Sequence, residues 1–127
     1  MSPLAMKLMI VDDHAGMREL IRRLIAAPGD TVIECSSGDE ALQAAAQFKP
    51  DCVTMDISMP GICAFKAAQG VRVAHPSARV IFVTSHDHPD YRRAALEAGA
   101  AGFVMKDKLP ELYSFVAAKR LTKSMTV

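Results

Sequence analysis

The sequence has few cysteines, and they lack the spacing of a disulfide framework or a metal-binding motif. The cysteines are Cys35, Cys52 and Cys63, an odd number with no two at a paired ligand spacing. Each of them lies within an apolar run. We therefore interpret them as small, reduced core residues rather than as a disulfide or a zinc site.

The sequence also lacks a long hydrophobic run and an excess of charge. No apolar stretch approaches the ~20 residues needed to span a bilayer, and Met1–Ala5 is too short and too uncharged for a signal peptide. The formal net charge of +1 gives no strong field for nucleic acid or an acidic membrane. With 127 residues, half of them hydrophobic, the chain is typical of one globular domain. We expect a cytoplasmic location, with no nucleic acid and no membrane bound by this chain itself.

Five short runs predict strands, and the first of them does not alternate with polar residues, which is typical of a strand buried on both faces of a parallel sheet. They are residues 7–11, 31–35, 52–55, 80–84 and 102–105. Apolar residues at helical spacing follow each run. The alternation predicts an α/β fold: a single doubly wound (βα)5 domain of flavodoxin-like topology, with a five-stranded parallel sheet, right-handed crossovers and helices on both faces. We assign 1–5 to an N-terminal extension, 6–121 to the domain and 122–127 to a C-terminal tail.

Local signals indicate the helix boundaries. The first helix carries Arg18, Arg22 and Arg23 on its solvent side and has no strong side-chain cap at its start. The third helix should run from about residue 61 to 74. Gly70 inside it costs about 1 kcal/mol relative to alanine, so we expect this helix to be loose or to end early. Pro110 should open the last helix.

Polar side chains stand at the carboxyl ends of four strands. Asp12 and Asp13 follow the first strand, Asp56 follows the third, Thr84 ends the fourth and Lys106 follows the fifth. The second strand contributes nothing charged beyond its end. A parallel sheet places these ends along one edge, where ligands bind at the switch point of doubly wound folds. We therefore expect three carboxylates, a hydroxyl and an ammonium to meet in one shallow pocket.

Three carboxylates in one pocket repel each other, so a cation must neutralise them or one must take up a proton. Mg²⁺ suits the pocket because it prefers oxygen ligands and needs only one or two direct carboxylates. A carboxylate in such a pocket can act as the nucleophile of phosphoryl transfer and form an acyl phosphate. In that case Mg²⁺ would bridge Asp56 and the incoming phosphoryl group, while Lys106 and Thr84 would contact its other oxygens.

This constellation, together with Met59-Pro60-Gly61 after Asp56 and Gly102–Asp107 at the fifth strand, resembles the receiver domain of two-component response regulators. The resemblance covers about residues 6 to 121. It implies a phosphorylation-dependent switch in which Asp56 accepts a phosphoryl group from a sensor histidine kinase, a phosphotransfer protein or a small donor. The chain would then be no enzyme beyond self-catalysed phosphoryl acceptance and autodephosphorylation.

The resemblance also implies a role for each pocket residue. Lys106 and Thr84 would contact the phosphoryl group, and Thr84 and Phe103 would form the switch. Ser58 and His86 would tune the rate at which the phosphoryl group is lost. The metal ligands would be Asp12, Asp13, Asp56 and the backbone carbonyl of Ser58. Phosphorylation would draw Thr84 toward the phosphoryl group and turn Phe103 inward. The surface of the fourth helix, fifth strand and fifth helix would change for an output protein or an effector domain outside this chain, and a phosphorylation-linked homodimer could form.

The chain departs from the family pattern at Asp107, where many receivers carry proline. No cis peptide is expected there, since a non-proline cis bond costs about 3 kcal/mol. The Lys-Asp pair is more similar to receivers attached to helix-turn-helix output domains. Two alternatives remain open: a pseudo-receiver that acts as a phosphorylation-independent interaction module, and the receiver part of a longer DNA-binding transcription regulator.

Other site chemistries fit the sequence less well. An aspartyl phosphatase would carry a second aspartate as general acid where Ser58 stands. A flavin-binding domain of this topology would have a Ser/Thr/Gly-rich loop where the anionic stretch 12–14 follows the first strand. His14, His86 and His88 flank the expected pocket without a tight ligand spacing, so we do not expect a transition-metal site.

Overall fold

The computed structural model describes residues 5–125. Its strands are β1 (Lys7–Val11), β2 (Thr31–Cys35), β3 (Cys52–Asp56), β4 (Arg79–Thr84) and β5 (Gly102–Met105). Its helices are α1 (Ala15–Ile25), α2 (Gly38–Phe48), α3 (Ala64–Ala74), α4 (Pro89–Glu97) and α5 (Leu112–Met125), and a 3-10 helix spans Lys106–Glu111. All pairings are parallel, and the strand order is β2-β1-β3-β4-β5. The predicted flavodoxin-like α/β fold is confirmed.

The inner strands β1, β3 and β4 are mostly apolar because both faces of the sheet are covered there, whereas the edge strand β2 is largely exposed or half-buried. Met9, Val53 and Phe82 face one core together with residues of α2, α3 and α4. The alternate residues, among them Ile10 and Ile81, face a second core with residues of α1 and α5. Since successive strand residues point to opposite faces, a doubly covered strand shows no polar alternation.

Gly70 does not shorten α3, so the expectation of an early end is wrong. The helix begins at Ala64, three residues later than the expected residue 61, and continues to Ala74. A Cβ atom at position 70 would overlap Leu42 Cδ2. The glycine therefore allows α3 to lie close to α2, and tertiary packing outweighs its low helix propensity.

The last helix differs from the prediction at both ends. Pro110 lies in the 3-10 helix, and α5 begins at Leu112. The helix then continues through residues 122–125, which we had assigned to a tail. Residues 1–4 and 126–127 of the expected terminal segments lie outside the described residues.

Two ion pairs fasten α5 to loops at the amino end of the sheet. Arg120 donates to both carboxylate oxygens of Asp30 at 2.8 Å. Lys123 Nζ lies 2.8 Å from Asp51 Oδ2. These contacts explain why the final turns remain helical, because their cations are held by side chains distant in sequence.

The cysteines follow the prediction in part. Cys35 and Cys52 are free and buried, and burial raises the pKa of Cys35 to about 11 and that of Cys52 to about 12. Cys63 is free but exposed just before α3, so its interpretation as a core residue is wrong. Among the described residues, no helix has the length and apolar character to cross a membrane.

Candidate functional site

Asp56 is buried at the carboxyl end of the central strand β3. Its side chain is only 2% exposed, because β1 and β4 flank β3 and hold it inside the sheet. The backbone N–H of Ser58 donates to Asp56 Oδ1 at 3.1 Å. The N–H of Ile57 donates to Val83 O at 3.0 Å, which extends the pairing with β4 past the carboxylate. One carboxylate oxygen is thus fixed by the following loop.

Lys106 faces the other oxygen of Asp56. Its Nζ lies 3.4 Å from Asp56 Oδ2 and 3.7 Å from Asp12 Oδ2. The lysine follows β5 directly, at the first residue of the 3-10 helix. Parallel strands that end at one edge therefore bring together Asp12, Asp56 and Lys106, as the sequence predicts.

Asp12 and Asp13 carry carboxylate oxygens without hydrogen-bond partners. Asp12 is 1% exposed; its Oδ1 accepts from the His14 N–H at 2.8 Å, while its buried Oδ2 accepts no hydrogen bond. The buried Oδ1 of Asp13 also accepts none, although His14 Nδ1 lies 3.0 Å away. Buried anionic oxygens without donors are costly unless a cation satisfies them. An oxygen-rich donor set of this kind fits a hard divalent cation such as Mg²⁺.

His14 is closer to the acidic pair than the sequence suggests. One potential ligand atom each from Asp12, Asp13 and His14 lie within 4.8 Å of one another. His86 and His88 are not part of this group among the described residues. The histidine occupies the N-cap position of α1 without capping it through its side chain.

The pocket raises the pKa of Asp56 above the ordinary value of an aspartate. Burial is the main cause, because it penalises the charged form. Repulsion from Asp12 also raises the pKa, whereas the hydrogen bond from the Ser58 N–H and the attraction to Lys106 lower it. The net direction is upward, so burial and repulsion from Asp12 outweigh the stabilisation of the charged form by Lys106 and the Ser58 N–H.

Thr84 and Phe103 lie on the neighbouring strands. Thr84 ends β4, is fully buried, and its Oγ1 accepts from the His86 N–H at 3.1 Å. Phe103 is half-buried in β5, and the guanidinium carbon of Arg92 lies 4.6 Å from the centroid of its ring. Arg92 also donates to Asp87 Oδ1 at 2.7 Å. The hydroxyl and the aromatic ring are thus held by contacts from the segment that links β4 to α4 and from α4 itself.

Two charged residues near the pocket were missed in the sequence. Arg18, expected on the solvent side, is only 17% exposed, and its Nη1 donates to the backbone carbonyl of Asp12 at 2.7 Å. Its Nε donates to Glu34 Oε1 at 2.9 Å. Glu34 lies within β2, so the second strand does supply a charge beside the site. The sequence holds no local signal for this contact, because it depends on the register of β1 against β2.

The chain is similar to proteins of known family along most of its length. Residues 8–117 match the family model of the response regulator receiver domain. The chain is 38% identical over 102 residues to the response regulator GacA of Pseudomonas syringae pv. syringae, covering 79% of this chain and 48% of that protein. It is 31% identical over 106 residues to the nitrate/nitrite response regulator protein NarL of Escherichia coli K12, covering 82% and 49%. The chain thus spans about half the length of these curated relatives.

Solved structures show the same likeness. The response regulator domain of Thermotoga maritima CheB is 28% identical, with a TM-score of 0.80 and coverage of 92% of this chain and 97% of that one. A two-component response regulator of the LuxR family from Aurantimonas sp. SI85-9A1 is 32% identical, with a TM-score of 0.77 and coverage of 90% and 86%.

Proposed function

The chain belongs to the response regulator receiver domain family of two-component signalling, and we propose that it is a switch operated by phosphorylation of Asp56. The phosphoryl donor is a sensor histidine kinase, a phosphotransfer protein or a small acyl phosphate. The chain is no enzyme beyond accepting this group and releasing it by autodephosphorylation. The chain acts in the cytoplasm, the location expected from the sequence.

The observation that carries the proposal is the environment of the Asp56 carboxylate. One oxygen is held by the Ser58 N–H, and the other faces Lys106 beside the unsatisfied Oδ2 of Asp12. A nucleophilic carboxylate needs an orienting donor, a nearby cation for the incoming phosphoryl oxygens and exclusion of bulk water. The arrangement supplies all of these within one pocket.

Transfer forms a bond between an Asp56 oxygen and phosphorus and breaks the bond from phosphorus to the donor. The leaving group is the imidazole of a phosphohistidine or the acetate of acetyl phosphate. Lys106 pairs with a phosphoryl oxygen, and Thr84 donates its hydroxyl to another. When held by Asp12, Asp13, Asp56 and the carbonyl of Ser58, Mg²⁺ supplies neutralisation of the carboxylate and phosphoryl charges.

The switch begins at Thr84. Its hydroxyl oxygen accepts from the His86 N–H, so moving the hydroxyl toward a phosphoryl group disturbs the segment that begins α4. Phe103 then loses its contact with the Arg92 guanidinium, and its ring turns inward. The surface of α4, β5 and α5 is thereby remodelled for an output protein, an effector domain or a second copy of the chain. Ser58 and His86 border the phosphoryl position and set how fast water removes the group.

The chain's length relative to its relatives bears on the output. Because the chain covers about half of GacA and NarL, one form of the proposal is a receiver that controls an effector domain outside this chain. A receiver that acts through a separate protein partner uses the same surface.

Intact-mass measurement after incubation with acetyl phosphate and Mg²⁺ tests the proposal. We expect the wild-type chain to gain one phosphoryl group, and Asp56→Asn to gain none. Asp90→Asn, which alters an exposed aspartate on α4, serves as the matched control and should be labelled like wild type. A chain that takes up no phosphoryl group while a known receiver does so would instead be a phosphorylation-independent interaction module.

A further inference from the structure

The loop that carries the acidic pair is not fastened in the usual way. A helix is commonly anchored at its start by a side-chain cap and by acidic residues in its first turn. In α1 the N-cap residue His14 makes no side-chain cap hydrogen bond, and the first turn contains no acidic residue. Gly16 in that turn has no neighbour near the position of a Cβ atom. Within the loop, the His14 N–H donates to Asp12 Oδ1 at 2.8 Å, but this contact leaves the Asp12 carbonyl to be held from outside the loop.

Arg18 makes the contacts that do this. Its guanidinium donates through Nη1 to the Asp12 carbonyl at 2.7 Å and through Nε to Glu34 Oε1 at 2.9 Å. The Asp12 N–H donates to the carbonyl of Cys35, the residue after Glu34, at 3.0 Å. The peptide groups on both sides of Asp12 are therefore tied to the end of β2. The planar fork of arginine suits this bridge between two acceptors, and the single ammonium of lysine does not.

We infer that Arg18 is a positioning residue for the metal-binding carboxylates. It fixes the peptide between Asp12 and Asp13, and so sets the affinity of the pocket for Mg²⁺ without touching the ion. The inference rests on the proposed function, since it assigns Mg²⁺ to this pocket. Hydrogen bonds that orient metal ligands from outside the coordination shell commonly change metal affinity by about 10- to 100-fold.

Arg22 offers a matched control on the same helix. Its Nη2 donates to the other oxygen of Glu34, Oε2, at 3.0 Å. Among the described residues, Arg22 makes no hydrogen bond or ion pair with the Asp12 carbonyl or the pocket side chains. Arg18→Gln and Arg22→Gln therefore each remove one cation from Glu34, but only the first releases the loop that carries the acidic pair.

The experiment is a titration of each variant with MgCl₂, followed by nuclear magnetic resonance of the backbone amides at positions 12, 13 and 56. We expect Arg18→Gln to raise the Mg²⁺ dissociation constant about tenfold, and Arg22→Gln to change it less than about twofold. The spectra without Mg²⁺ and the thermal midpoints report any general loss of structure, which should be similar in the two variants. Arg18→Lys keeps a cation beside Glu34, and its Mg²⁺ dissociation constant should lie between those of wild type and Arg18→Gln. If Arg18→Gln does not fold, the dissociation constant of Arg18→Lys tests the inference.

Mg²⁺ dissociation constants for both Arg18 variants within about twofold of the Arg22→Gln value would overturn the inference. If wild type itself binds Mg²⁺ and accepts a phosphoryl group, the proposed function stands and only the role of Arg18 is lost. If the wild-type amides do not respond to Mg²⁺ at all, the proposed function and the inference fall together.

Discussion

Lys106 is shared by two buried carboxylates: its ammonium lies 3.4 Å from Asp56 Oδ2 and 3.7 Å from Asp12 Oδ2. Both distances exceed the roughly 2.7–2.9 Å of a close charge-assisted hydrogen bond. The lysine therefore attracts both oxygens without fully compensating either. We propose that this shortage of positive charge favours the binding of a divalent cation, and that it destabilises the fold when no cation is bound.

Replacing Asp56 by asparagine should stabilise the metal-free protein. Burial raises the pKa of Asp56, so its ionised form costs folding free energy at neutral pH. Asp56→Asn removes this charge at nearly constant volume, and we expect the free energy of unfolding to rise by about 1 kcal/mol. For a group whose folded-state pKa is raised, the stability penalty is complete at high pH and disappears as pH falls below the unfolded pKa of 3.8.

The free energies of unfolding of wild type and Asp56→Asn should be measured by urea unfolding in the presence of a chelator, once at neutral pH and once near the unfolded pKa. The variant should exceed wild type at neutral pH, and the difference should shrink in acid. Asp90→Asn should show neither effect. A variant less stable than wild type at neutral pH would mean that Lys106 and the Ser58 N–H already compensate the charge.

Removing the lysine should have the opposite effect and should depend on Asp56. Lys106→Met leaves the carboxylates of Asp12 and Asp56 without their shared cation, and we expect a loss of about 1–2 kcal/mol at neutral pH. In the Asp56→Asn background the loss should be smaller, since only Asp12 remains. A double-mutant cycle by urea unfolding should give a coupling energy of about 1 kcal/mol. Additive effects would contradict an interaction between the two side chains.

Asp30 should contribute stability through contacts at the opposite end of the sheet. Its side chain is fully buried, and it accepts hydrogen bonds from Arg120 and from the N–H groups of Met6 and Ala27. Burial alone would raise the pKa of Asp30, but these hydrogen bonds outweigh it and lower the pKa. We expect Asp30→Asn to lower the free energy of unfolding by about 3 kcal/mol at neutral pH.

A lowered folded-state pKa fixes the sign of the pH dependence. The contribution of Asp30 is complete above its unfolded value of 3.8 and is lost as pH falls through the folded-state pKa. The difference between wild type and Asp30→Asn should therefore narrow below about pH 4 in acid-unfolding experiments. Asp51→Asn, at a less buried pair with Lys123, should cost less. A constant difference at all pH values would show that the effect is packing and not charge.

The sequence predicted the parts of the site that lie at strand ends. Apolar runs marked the strands, and a parallel sheet necessarily gathers their carboxyl ends, so Asp12, Asp56 and Lys106 could be placed together before any contact was known. Asp13 follows Asp12 directly in the chain, whereas Ser58 was assigned only through the resemblance to receiver domains. Their roles in phosphoryl transfer remain predictions.

The sequence failed where side chains from distant segments meet. The helical spacing predicts a solvent-facing position for Arg18. Its contact with Glu34 could not be predicted, because it depends on the register in which β1 pairs with β2. Arg120 and Asp30 lie 90 residues apart, so the extension of α5 to Met125 had no local signal. The low helix propensity of Gly70 predicted a short α3, whereas the glycine is needed because Leu42 packs against its backbone.

The most direct test of the function is to locate the phosphoryl group chemically. Borohydride reduces an aspartyl phosphate to homoserine, which peptide mass spectrometry assigns to a position. After incubation with acetyl phosphate, we predict homoserine at position 56 of the wild-type chain, only when Mg²⁺ is present, and none at positions 12 or 13. Homoserine at another position, or none at position 56 under conditions that label a known receiver, would contradict the assignment of Asp56 as the phosphoryl acceptor.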